Sequence, residues 1–279
     1  MKRRFHLFVL FTLLFAGSLW AQWTSNTTQN QQLCGATGNQ YTPVVVSDGS
    51  GGVISAWIDE RTVNVQKIYV QRYNASGSAM WQANGVELVA SQTNAADLQC
   101  VPDGSGGAVI CWMESKAGTV SMFYARKINS AGVPQWPSEV GVSGVYNASY
   151  NDEKCSIAPD GSGGVLLAYK RYNNTASKYE IHCQYISADG SRYFGSGGTV
   201  AATSNLPASF DNPRVCSDDA GGAILIYQNF SRIIAQKLNN LGQKQWGSDG
   251  FDVFSSTVGN MFIPVICKDG VGGAIIACI

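Results

Sequence analysis

Few side chains in this sequence have the types and spacing that chemistry needs. Two histidines occur, His6 and His182, and His6 lies in an N-terminal apolar stretch. His182 sits in a strand-like run, which favours a packed residue over a general base or metal ligand. No Gly-x-Ser-x-Gly elbow is present for nucleophilic catalysis, and no Cys/His spacing resembles a zinc site. Asp59, Glu114 and Glu153, with Arg61, Arg171 and Tyr172 nearby in sequence, could serve glycoside chemistry, which needs two carboxyls flanking the scissile bond. As isolated positions they read first as solvated loop residues. The Asp of a recurring Asp-Gly-x-Gly-Gly stretch is alone among glycines, and a calcium loop needs several oxygen ligands. It therefore reads as a turn cap, and neither metal nor cofactor is expected.

That stretch leads to the elements that would position these residues. Asp48-Gly49-Ser50-Gly51-Gly52 recurs from Asp103, from Asp160 and, more loosely, from Asp218 and Asp269; the leading Asp residues are 55, 57, 58 and 51 positions apart. An aromatic follows five residues after the second Gly in four copies: Trp57, Trp112, Tyr169 and Tyr227. Each copy continues with an apolar run, a turn ending at Gly77, Gly132, Gly190 or Gly242, and a large aromatic at Trp81, Trp136, Phe194 or Trp246. Each unit reads as four short strands, A to D, because Gly-rich turns separate runs of strand-forming residues. Four-stranded units of this length in tandem predict an all-β fold, a β-propeller of four-stranded blades. Gln71, Gln184 and Gln236, with Arg126 in the second copy, recur in strand C and read as structural hydrogen-bonding groups.

The predicted boundaries are a signal peptide over 1–21 and a propeller over 22–279. The repeats span about 40–94, 95–150, 151–207 and 208–260, and a partial blade combines 261–279 with 22–39. In that closure the N-terminus supplies strand D, because Gln22-Trp23-Thr24-Ser25 resembles Gln245-Trp246-Gly247-Ser248, and the C-terminus supplies strands A and B. Ala274 to Ile279 forms an apolar edge without a polar cap, which favours truncation of a longer protein over closure with a defective blade.

Lys2, Arg3 and Arg4, the apolar run Phe5 to Phe15 and the small residue Ala21 form a secretory signal with cleavage after Ala21. The run is shorter than the ~20 residues of a spanning helix, so a soluble chain, secreted or at the cell surface, is expected. Without the signal the formal charge is about −3, and no basic patch suggests nucleic acid or anionic lipid. Eight cysteines fall mostly within strands, as small buried apolar residues do, and Cys100 and Cys111 flank one hairpin where a bridge is conceivable.

Strand alternation puts the A–B and C–D turns at one end of the disc and the B–C loops and D–A connections at the other. The first set is uniform. From the strand-B aromatic to the strand-C Gln or Arg, the copies count 14, 14, 15 and 9 residues. Variation on a rigid scaffold marks a binding face, which selects Asp59, Arg61, Glu114, Lys116, Arg171 and Tyr172 as its candidate lining.

The order Asp-Gly-x-Gly-Gly, aromatic, Asp-x-Arg, Gln-Arg, Asn-x-x-Gly, Trp resembles the propeller-like repeats of large secreted bacterial surface proteins, many of which end in a type IX secretion sorting domain. Copy one carries it best, in Trp57-Ile58-Asp59-Glu60-Arg61 and Gln71-Arg72; later copies lose the Asp-x-Arg. The resemblance implies extracellular or cell-surface placement and little about activity. A binding or adhesion module that is not an enzyme, with polysaccharide or protein partners at the cell surface, is the leading expectation. A carbohydrate-active hydrolase or lyase and a structural spacer of a larger surface protein are the alternatives.

Overall fold

The computed structural model describes residues 31–89, 94–116, 120–143, 149–204, 210–255 and 263–279. The predicted signal and residues 22–30 of the segment expected to close the last blade as strand D (22–39) lie outside them, and residues 31–39 contain no strand.

Blade 1 consists of β1 (Gln40–Ser47), β2 (Val53–Thr62), β3 (Val65–Tyr73) and β4 (Val86–Glu87). Blade 2 consists of β5 (Ala95–Pro102), β6 (Ala108–Lys116), β7 (Val120–Ile128) and β8 (Val140–Gly141). Blade 3 consists of β9 (Tyr150–Pro159), β10 (Val165–Asn173), β11 (Lys178–Ile186) and β12 (Thr199–Thr203). Blade 4 consists of β13 (Phe210–Ser217), β14 (Ala223–Asn229), β15 (Arg232–Leu238) and β16 (Phe251–Ser255). The last pair is β17 (Val265–Lys268) and β18 (Ala274–Ala277). Every sheet is an antiparallel meander in chain order. Successive first strands, β1, β5, β9, β13 and β17, lie against one another, so strand A of each blade is innermost. The chain is an all-β propeller with four complete blades and a two-stranded fifth among the described residues.

The repeat motifs set this geometry. Asp48 Oδ1 accepts hydrogen bonds from the Ser50 and Gly52 amides, both at 2.8 Å, and Asp48 N donates to Gly52 O at 3.1 Å. Asp103, Asp160 and Asp218 do the same in their turns. Gly52 has to be glycine, because a Cβ there would lie 2.1 Å from the Tyr73 carbonyl oxygen. The cation or tyrosine after the strand-C Gln or Arg then braces this turn: Arg72 to Asp48 at 2.9 Å, Tyr185 Oη to Asp160 at 2.9 Å, and Lys127 and Lys237 to Asp103 and Asp218 at 3.7 and 3.4 Å. Three of these side chains also reach carbonyls of the next blade, at Ser130, Gly163 and Gly272. In blades 1 to 3 the aromatic of the strand-D turn, Trp81, Trp136 or Phe194, packs on the next blade's turn glycine, with Trp81 Nε1 donating to Ser130 O and Trp136 Nε1 to Ala188 O, both at 3.0 Å. Gln71, Gln184 and Gln236 are fully buried and staple their own C–D turns; Gln184 Nε2 donates to Gly195 O at 2.8 Å while its Oε1 accepts the Tyr185 and Phe194 amides.

Alternate residues of each strand face opposite neighbours, so both faces are apolar. Ile54, Ile68, Ile110 and Trp112 fill the layer between blades 1 and 2, Cys111, Phe123, Leu167 and Tyr169 that between blades 2 and 3, and Leu166, Ile181, Leu225 and Tyr227 that between blades 3 and 4. The same alternation separates Cys100 from Cys111. Cys100 pairs in register with Ile110 and packs in the first layer, Cys111 packs in the second, and both thiols are free.

Candidate active site

The loop end of blade 3 holds a concentration of polar groups beside a cavity of about 450 Å³ on the side turned to blade 2. Strands β9, β10 and β11 bring Asp152, Arg171 and Glu180 into one row, since Arg171 is in register with Asp152 on one side and Glu180 on the other. A bulge in β9 makes this row possible. Lys154 takes a left-handed φ of 30° where the pairing shifts between Tyr169 and Lys170, so Asp152 faces the cavity and Glu153 faces away.

Arg171 is the hub. Its Nε and Nη2 lie 2.6 and 3.2 Å from Asp152 Oδ1 and Oδ2, and Ser143 Oγ of blade 2 donates to Oδ2 at 2.7 Å. Its guanidinium carbon is 4.9 Å from the centre of the Tyr150 ring and 5.2 Å from that of Tyr169. Asp152 is only 1% exposed and Arg171 5%, so the pair forms a fixed, charged wall. On the far side of the row His182 Nε2 lies 2.8 Å from Glu180 Oε2 and His182 Nδ1 lies 3.1 Å from the Gly197 carbonyl. A carbonyl oxygen only accepts, so Nδ1 carries hydrogen. The facing Nε2 and Glu180 Oε2 lie within the distance at which a proton is shared. The hydrogen bond from His182 holds the Glu180 carboxyl below its usual range, against the desolvation that burial imposes. The imidazole stacks on Tyr169 at 5.3 Å, whose hydroxyl donates to Gly197 O at 2.7 Å. Gly198 completes the floor; a Cβ there would lie 2.6 Å from Cys183 O.

The sequence-selected residues do not share one site. Arg171 lines this cavity, whereas Tyr172 lies on the opposite face of β10 and packs on Tyr179, with ring centres 4.9 Å apart. Asp59 and Arg61 close the equivalent position of blade 1. Asp59, 1% exposed, accepts hydrogen bonds from Trp57 Nε1 at 2.8 Å and Arg61 Nε at 2.9 Å, and Arg61 lies 3.5 Å over the Tyr69 ring. Burial would raise the Asp59 carboxyl, but Arg61 and Trp57 outweigh it and hold it below the carboxylate range. Glu114 receives a long 3.5 Å contact from Trp112 Nε1, and Lys116 pairs in register with Val120 at the end of its hairpin. Glu153 pairs with Lys170 at 3.2 Å, facing away from the cavity. Sequence reading therefore missed Asp152, Glu180 and the site role of His182. The signal for them was Arg171 standing where copy one has Asp59, which requires an acid from another strand. Among the described residues no three His, Cys, Asp or Glu side chains converge as metal ligands.

No protein-family model matches the chain, and no curated protein matches it. Solved structures do. It is similar to an α-L-arabinofuranosidase from Lactobacillus brevis (13% identity over 79% of this chain and 77% of that one, TM-score 0.39). It is similar also to an endo-arabinase from Bacteroides thetaiotaomicron (15%, 85% and 87%, 0.41) and to an α-L-arabinanase from Penicillium chrysogenum complexed with arabinobiose (12%, 86% and 76%, 0.43). The expectation of a binding or adhesion module that is not an enzyme is corrected here: the matched structures are an α-L-arabinofuranosidase, an endo-arabinase and an α-L-arabinanase, in line with the carbohydrate-active alternative.

Proposed function

We propose that this chain is a glycoside hydrolase whose active site is the blade 3 cavity. The observation that carries the reading is the row Asp152–Arg171–Glu180, two carboxyls either side of a guanidinium, with His182 Nε2 2.8 Å from Glu180 Oε2. Glycosidic cleavage requires a proton for the leaving oxygen and a carboxylate near the anomeric carbon as positive charge develops there. The low-titrating Glu180 carboxylate takes a proton from the facing His182 Nε2 and relays it to the leaving oxygen. Asp152, fixed by Arg171 and Ser143, faces the developing charge and takes the proton of the attacking water.

Secretion through the N-terminal signal, to the cell surface or medium, is part of the same proposal and suits a polymeric glycan substrate. The test is incubation of the full chain with a polysaccharide panel, arabinan and arabinobiose first, with release of reducing ends as the readout and proton NMR of the first-formed anomer. Release of reducing ends is the expected result, and the first-formed anomer shows whether configuration is inverted or retained. Absence of cleavage across the panel by a folded protein contradicts the reading.

A further inference from the structure

The blade 3 cavity has a neighbour on the same face. A second cavity, of about 400 Å³, lies between blades 3 and 4 and is lined by Thr203, Phe210, Tyr227, Phe230, Arg232 and Asp252. The two are separated by the width of β12. Thr203, in the second, is the direct cross-strand partner of Glu180, in the first, while Val200 of the same strand lines the first. Antiparallel partners lie about 5 Å apart, so one chain molecule can lie across both.

The shape of the second cavity follows from the short copy of the repeat. The B–C connection of blade 4 is a tight turn at Phe230 and Ser231 that closes after strands of 7 residues, where the B and C strands of the other blades run 9 or 10 residues before turning. That lowers the rim and holds Phe230 in the left-handed region at φ 54°, half exposed at 51%. An aromatic residue at positive φ is uncommon and marks a position that the surrounding structure imposes. Gln228 fixes the turn, donating to Phe230 O at 3.2 Å while accepting from Asn212 Nδ2 at 3.0 Å. Beside the exposed ring, Arg232 and Asp252 pair at 3.3 Å with about half of each side chain open to solvent. An exposed ring beside a solvent-facing donor and acceptor matches a sugar residue, which offers an apolar face for stacking and hydroxyls at its rim.

We infer that this groove is a glycan subsite continuous with the blade 3 cavity, so that the protein acts on an extended chain laid across blades 3 and 4. The inference rests on the active-site assignment above. Its test compares wild type, Phe230→Ala and Arg232→Ala on linear arabinan and on arabinobiose, with thermal unfolding to confirm that the variants fold. In each variant kcat/KM should fall about tenfold further on arabinan than on arabinobiose. An equal change on both substrates, or none on arabinan, overturns the subsite. If wild type cleaves neither substrate, retardation in arabinan-containing native gels reads the groove independently of catalysis. Retardation weakened in Phe230→Ala supports the subsite, and its absence in wild type or its persistence in the variant overturns it.

Discussion

Blades 1 and 3 place different chemistry in the same repeat position. In blade 1 the strand-B acid Asp59 is bound by Arg61 two residues along the same strand, and the guanidinium also donates to Asn84 O at 2.8 Å and covers Tyr69. The position is filled. In blade 3 the strand-B residue is Arg171, its acid comes from β9, the Tyr69 position is taken by His182, and the Arg61 position by Asn173. With no long side chain folded back over the row, the cavity stays open to the loop face. Exchange of the acid and base between strands thus turns a stabilising contact into a concave site with two carboxyls. A repeat can open a cavity by losing its own plug.

The comparison predicts a division of effects. Glu180→Gln should lower hydrolysis by about 10²–10⁴-fold, the range for loss of a general acid, while the unfolding midpoint shifts little; the matched change Asp59→Asn should leave hydrolysis intact. Equal losses in both variants would erase the distinction between the blades. In stability the order reverses in kind. Arg171→Met leaves Asp152 buried without its cation and should cost about 3–5 kcal/mol in chemical denaturation. Asp59→Asn, whose partner Arg61 keeps access to water, should cost about 1–3 kcal/mol. The Asp59 contribution has a defined pH dependence. Its folded carboxyl titrates below the usual range, so the stability is complete above the unfolded value of about 4 and is lost as pH falls through the lower folded value. Asp59→Asn should flatten that acid limb of the stability curve. The smallest effect sharpens the comparison most: Asn173→Arg restores the blade 1 arrangement in blade 3 and should reduce kcat/KM about tenfold, roughly 1.4 kcal/mol, with stability unchanged or raised.

Much of the fold was legible because its determinants are local. The turn Asp residues bond amides two and four positions ahead, and the second glycine is forced by a carbonyl of its own blade, so both recur at fixed spacing. The pairing of turn glycines with large aromatics was legible as a pattern; its cause, a contact between successive blades, was not. The site was hidden for a different reason. Asp152 and Glu153 are adjacent, and only the single-residue bulge at Lys154 decides which of them faces Arg171. A shift of one residue exchanges the faces of a strand, and nothing in the sequence marks where a bulge falls. Glu180 and His182 occupy alternate positions of one strand and so share a face, but the blade they turn toward depends on how the sheets pack. Arg171 and Tyr172 were selected together as lining of one face, yet alternation along β10 places them on opposite faces.

The most direct test of the active-site assignment is a crystal structure of Glu180→Gln with bound oligosaccharide, made with the glycan that wild type cleaves. The account predicts a sugar in the blade 3 cavity, with its anomeric carbon between Asp152 and residue 180. A sugar bound elsewhere, with this cavity holding only solvent, would contradict it.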